Sequence, residues 1–242
     1  MNLMMLGSTA GGFEGLTPLV YHLEMEDGQS GPHTYPYSNA SYTPSVGDLV
    51  IGFHSMVYQV ISGLTTYIND FTQIALEHGD SIVDATTYVG YRIMDGTETT
   101  ISVKGVGMSR ATSTLGFIVF AAGDYDPVNF LDTTATTANG TEYSPTIPSI
   151  TTATDNAYVL SVVAQSFANG EGAEITTSNY TEYDSNFLLQ ASDTRDHLVG
   201  VFRTTQETAG LFTPGAANVS YTSAPYNGWN SWSAVTVAIR KA

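Results

Sequence analysis

Apolar residues along the chain fall in runs of strand length, cut by clusters of Gly, Pro, Asn and Ser. In "AVTVAIR" near the C-terminus, Val235, Val237 and Ile239 alternate with Ala234, Thr236 and Arg240, the period of two that a pleated strand imposes. The same reading predicts strands at NLMML, LVYHLEME, VGDLVIGFHSMVYQVI, FTQIALEH, TTYVGYRIM, TTISVKGVG and LGFIVFAAG. After a Thr- and Pro-rich connection it predicts AYVLSVVAQS, NYTEYDSNFLLQAS, DHLVGVFRT, ANVSYTS and the terminal strand. Long runs of good helix formers are missing, and 23 Gly with 9 Pro supply frequent turns. The expected fold is all-β, a two-sheet antiparallel jelly-roll sandwich.

The order of features repeats. Gly47-Asp48 precedes one apolar strand and Asp155-Asn156 another; "YVGYR" ending at Arg92 has a counterpart in "LVGVFR" ending at Arg203; "TETT" after the first corresponds to "TQETAG" after the second. Two similar halves are therefore expected, each contributing to both sheets. Residues 1–45 read differently: two strands and the turn-rich "DGQSGPHTYPYSNASYTPS", which displays Tyr35, Tyr37 and Tyr42 as an attachment arm, or else as the sandwich's outer strands. Residues 46–242 form the sandwich domain.

Composition narrows the partners. Seven basic against 23 acidic residues give a formal charge of −16, which repels a phosphate backbone and argues against nucleic acid. No apolar run reaches the eighteen or so residues of a membrane span, so no membrane insertion is expected. "MNLMMLGSTAGG" lacks the basic start and long apolar stretch of a secretory signal. With no cysteine there is no disulfide, thiolate metal site or cysteine nucleophile.

Catalytic patterns are sparse. There is no G-x-S-x-G elbow, and the five histidines, at 22, 33, 54, 78 and 197, show no H-E-x-x-H and no ligand spacing on one element. Glu24, Glu26 and Asp27 in "LEMED" lack the further acid that a glycosidase pair needs on the same face. Asp124, Asp126 and Asp132 in "GDYDPVNFLD" have the make-up of a polar turn or a calcium loop, without the D-x-D-x-D-G pattern of the latter. Asp193 and Asp196 flank Arg195 in a short polar loop. The chain is expected to be no enzyme and to need no cofactor or metal. Recognition falls instead to the aromatics: Tyr226, Asn227, Asn230 and Trp232 combine a ring for a sugar face with amides for its hydroxyls. By parity Trp229 shares the Val/Ile core face, while Trp232 lies on the other.

The succession "GDLVIGF", "YRIMDGTETTISVKG", "FIVFAAGDYDPVNF", "PSITTATDNAYVLSVVA" and "WSAVTVAIRKA" resembles the lectin-like (concanavalin-like) jelly-roll proteins encoded among the virion genes of tailed bacteriophages, from about Val46 to Ala242. The resemblance implies a noncatalytic virion surface protein, a capsid decoration or minor head structural protein, the alternative being a tail-associated receptor- or carbohydrate-binding protein. It implies other virion proteins as partners, whether major capsid or tail proteins, and a host-surface glycan for the tail alternative. Homo-oligomers are expected through sheet edges and the Tyr-rich loops at 35–42 and 180–183.

Overall fold

β-branched and aromatic side chains pack well on a pleated, buried surface, and the runs rich in them become strands. The computed structural model describes residues 15–26, 33–59, 66–79, 83–105, 112–168, 174–189, 195–220 and 230–242. The first half comprises β1 (Val20–Glu26), β2 (His33–Pro36), β3 (Leu49–Gln59), β4 (Thr66–Ile68), β5 (Thr72–His78), β6 (Val83–Ile93), β7 (Thr100–Gly105) and β8 (Thr112–Phe120). The second comprises β9 (Thr136–Gly140), β10 (Ile150–Thr152), β11 (Ala157–Ala168), β12 (Glu174–Thr176), β13 (Glu182–Leu189), β14 (Arg195–Gln206), β15 (Gly210–Phe212), β16 (Asn218–Ser220) and β17 (Ser231–Ile239). Among the described residues the one helical piece is a 3-10 turn at Tyr37–Ala40.

Each half winds alike. The first builds a five-stranded sheet in the order β1-β8-β3-β6-β5, and the second its counterpart, β9-β17-β11-β14-β13. Outside the first lies β2-β7-β4; outside the second, the pairs β10-β15 and β12-β16. Numbered from the start of its own half, each large sheet therefore runs 1-8-3-6-5, and each outer layer pairs 2 with 7 and 4 with 7, the seventh strand being split in two in the second half. All of these pairings are antiparallel.

The two large sheets pack face to face around a core that includes Ile51, Phe53 and Ile118 from one and Val162, Val201 and Val237 from the other. A second core lies between the first large sheet and β2-β7-β4. Further cores lie beneath β12-β16 and β10-β15. The result is four layers. Each large sheet is covered on both faces, which is why every residue of β17 is buried and why β3 and β11 read as nearly unbroken apolar runs. The expectation that each half would contribute to both sheets of one sandwich is corrected accordingly: each half builds its own pair of sheets.

Of the two readings of the N-terminal segment, the described part agrees with outer strands: β1 is an edge strand paired with β8 from Val20↔Val119 to Glu26↔Ser113. A second correction concerns its tyrosines. Tyr35, Tyr37 and Tyr42, expected on display, are 6%, 1% and 6% exposed and wall the second core. The Tyr37 ring meets Tyr42 and Phe117 edge-on, Tyr35 stacks on His22, and the Tyr42 hydroxyl donates to Asp48 Oδ2 at 2.8 Å. Burying three large rings outweighs the turn-rich composition around them. NLMML lies outside the described residues.

The halves join through residues 121–135, which cross one end of the sandwich, the linker end. There Tyr125 donates to the Gly47 carbonyl at 2.8 Å and bridges to Lys241, while Leu131 bridges to Ile239. The turns entering β3 and β11 each use a left-handed residue, Gly47 at φ 86° and Asn156 at φ 60°, as their Gly and Asn foreshadow.

Candidate functional site

Of the four residues expected to bind a ligand, Tyr226 and Asn227 lie outside the described residues, as does Trp229. Asn230 and Trp232 lie at the end of β17 remote from the linker. Parity works as the sequence suggests, since Val235, Val237 and Ile239 face the inter-sheet core and Trp232 the opposite one. That opposite face, however, is not solvent. Trp232 is 3% exposed, packed with Val163, Ile175, Leu198 and Ala234, because the outer layer of the second half covers it. The expected solvent-facing indole is thus corrected to a buried one.

Local sequence explains its seat. Trp232 pairs across the ladder with Gly140, and a Cβ on Gly140 would stand 2.7 Å from the ring, so glycine lets the indole lie flat on β9. The indole N–H donates to Glu142 Oε2 at 3.1 Å, which satisfies the one polar atom of a buried ring. Backbone hydrogen bonding at Glu142 itself, and then the indole donor, hold the Glu142 carboxyl below the usual carboxylate range. Beside it, Tyr143 is 39% exposed, and its carbonyl accepts from the Gln165 amide at 2.9 Å. Gln165 sits directly across from Trp232 on β11. Gln165 Oε1 and Asn230 Oδ1, both buried, have no hydrogen-bond partner. This corner therefore offers an exposed ring and a carboxylate above a layer of amides.

The acidic loop does structural work. Asp126 accepts the backbone N–H groups of Val128 and Asn129 at 2.9 and 3.0 Å, closing its own turn, and those bonds lower its pKa. Asp132 is buried and accepts from the Ala153 and Thr154 backbone, from the Thr154 hydroxyl and from Arg240 Nε at 3.3 Å. These carboxylates are occupied by protein donors, and among the described residues no group of three His, Cys, Asp or Glu could hold a metal ion. Asp193 and Asp27 lie outside the described residues.

Two clusters went unseen in the sequence because they join the halves. Arg203 is buried at the inter-sheet margin, its Nη2 2.9 Å from Asp184 and 3.7 Å from Glu182, with its guanidinium 3.7 Å over the Tyr21 ring of β1. Burial foremost, and the Asp184 charge next, push the Tyr21 hydroxyl's pKa up. The other cluster brings His197 Nε2 within 3.2 Å of Ser55 Oγ, residues 142 positions apart. The polar residue inside each apolar run was the only available sign of it. Both partners of this pair are sealed from solvent, so the contact presents no nucleophile to a substrate.

Comparison of the chain with protein-family models, with curated proteins and with solved structures finds no match.

Proposed function

We propose that the chain is a noncatalytic surface protein of a tailed-bacteriophage virion, a capsid decoration or minor head structural protein built as two jelly rolls in tandem. One observation carries the reading. In each half the strands wind in the order 1-8-3-6-5 on one sheet and 2-7 with 4-7 on the other, which is the winding of a jelly roll in all but the fifth strand, here beside the sixth; that class serves in viral capsids and in lectins. The sequence resemblance points to the same place. Three stacked cores with their polar groups turned to internal bonds suit a protein whose work is to be a rigid, acidic shell component. Its partners are other virion proteins, and it self-associates on the particle. Since Tyr35, Tyr37 and Tyr42 are committed to a core, contacts between copies fall to sheet edges and other loops.

Immunogold labelling or cryo-EM of intact particles tests this reading, with density expected on the head. Label confined to tail tips would instead favour the tail-associated, carbohydrate-binding alternative, for which the exposed Tyr143 ring next in sequence to the Glu142 carboxylate is the supporting observation. Particles that carry no label anywhere would reject both.

A further inference from the structure

The seam between the two large sheets changes chemistry along its length. Toward the linker end the facing residues are apolar, among them Ile51 and Val89 against Val162 and Val235. Further along the same strands, pairing places Thr87, Ser55 and Thr114 in one row and His197, Ser166 and Ser231 in the row of the other sheet. All six are at most 1% exposed. Bonds cross between the sheets here: Ser55 Oγ with His197 Nε2 at 3.2 Å, Thr87 Oγ1 with Ser233 Oγ at 2.8 Å, and the Ala85 N–H to Ser231 Oγ at 3.4 Å. Three atoms of these rows, Thr114 Oγ1, Ser166 Oγ and His197 Nδ1, have no partner.

We propose that these rows form an acid-released latch, in which protonation of His197 opens the polar end of the seam while the apolar end stays closed. The residues placed against His197 are neutral: Ser55 across the seam from β3, Ser166 beside it on β11 and Leu188 beside it on β13. Among the described residues, the titratable group whose charge acts on it is His54, which would itself become a cation and raise the cost further. A protonated imidazole here has no counter-ion among the described residues and is sealed from bulk solvent, so the closed seam rejects the proton. Burial first, and His54 second, hold the His197 pKa at about 3, against about 6.5 for a solvated imidazole. The closed state is thus fully favoured above pH ~6.5, and each unit below it raises the open population about tenfold until pH ~3. The apolar end is fastened independently by the linker and by the Arg240–Asp132 contact.

The absence of cysteine makes a clean test possible. Ser166→Cys places one thiol at the polar end without losing a bond, and Val162→Cys places one at the apolar end. Their reaction with a dipyridyl disulfide, normalised to the unfolded chain, is followed from pH 7 to 4.5, which stays above the midpoints of ordinary carboxylates, and Val162→Cys reports whatever part of their titration reaches the whole fold. The Ser166→Cys thiol is expected to gain accessibility by about 100-fold between pH 6.5 and 4.5, Val162→Cys to stay flat, and the rise to vanish when His197→Gln is added. Equal rises at both reporters would mean global acid unfolding and overturn the latch, as would no rise at Ser166→Cys. A rise that survives His197→Gln, or that disappears with His54→Gln alone, would also overturn it. Should His197→Gln fail to fold, the contrast between the two reporters decides.

Discussion

The two halves share a winding but fill it differently. Aligned by strand pairing on Gly90 and Gly200, the row Tyr88–His54–Leu115 of the first half stands where the second has Leu198–Gln165–Trp232. One step along, Gly90–Gly52–Phe117 corresponds to Gly200–Val163–Ala234. The first half takes its outer-core bulk from Tyr88, Phe117 and the wall of Tyr35, Tyr37 and Tyr42; the second takes it from Trp232 and Phe202, with Tyr180 packed against them. Strand order therefore does not depend on which position carries the volume, provided the layer is full. It also matters how the layer is closed: a continuous β2-β7-β4 sheet on one side, two separate pairs on the other.

The sharpest way to break the comparison is to empty each outer core in turn. Trp232→Ala is expected to destabilise by about 3–5 kcal/mol and Leu115→Ala, its positional counterpart, by about 2–4 kcal/mol. Because the halves share the inter-sheet core, urea unfolding of both variants should remain one transition. Loss of one half while the other stays folded would show that each winds autonomously. A cost below about 1 kcal/mol for Trp232→Ala would mean that the indole is not a core plug.

Tight glycines sharpen it next. At Gly116 an added methyl would meet the Phe53 ring and, at 2.9 Å, the His22 backbone carbonyl, which cannot swing away. Gly116→Ala should cost about 3 kcal/mol by overpacking. At Gly140 the methyl meets side chains alone, the Glu142 carboxylate and Trp232, so Gly140→Ala should cost about half as much in the same thermal melts. Equal costs would place the constraint in the strands themselves.

Each half also has one buried carboxylate tying its linker-end turns. Asp48 accepts from Tyr42, Ser45 and Ala122; Asp132 accepts from the 153–154 backbone and from a cation, Arg240. Hydrogen bonds to charged partners are the stronger kind, so Asp132→Asn should cost about 2 kcal/mol and Asp48→Asn about 1 kcal/mol by denaturant titration. The reverse order would mean that solvent screens Arg240 enough to cancel its contribution.

The long strands of both large sheets were legible, because burial on two faces leaves runs such as LVIGF and AYVLSVVA that admit few other readings. The short outer strands were not. "HTYP", "TYI", "ITT" and "GLF" sit in stretches rich in Thr, Pro and Gly, and only the sheet beneath them makes them strands. The duplication was visible in Gly47, Gly90, Asn156 and Gly200, yet not the consequence that the large sheets face each other. Parity alone put Trp232 on the correct face but could not tell that a further layer covers that face. The seam was hidden for another reason: a lone Ser or His within an apolar run gives no hint of its partner in the other half.

The smallest expected effect concerns the indole's only polar bond. Glu142 is exposed, so removing its charge should leave the unfolding midpoint of Glu142→Gln almost unchanged. The spectroscopic effect should be clearer, because the carboxylate sits 3.1 Å from the Trp232 Nε1 of a ring that is buried in an apolar cluster. In a Trp229→Phe background, where Trp232 is the single indole, Glu142→Gln is expected to shift the emission maximum by a few nanometres while iodide quenching stays low, since the ring remains buried. A large gain in quenching would show that Glu142 holds the cover over Trp232 in place, and the second half's outer core would then depend on a surface charge where the first half's polar tie, Tyr42 to Asp48, is buried.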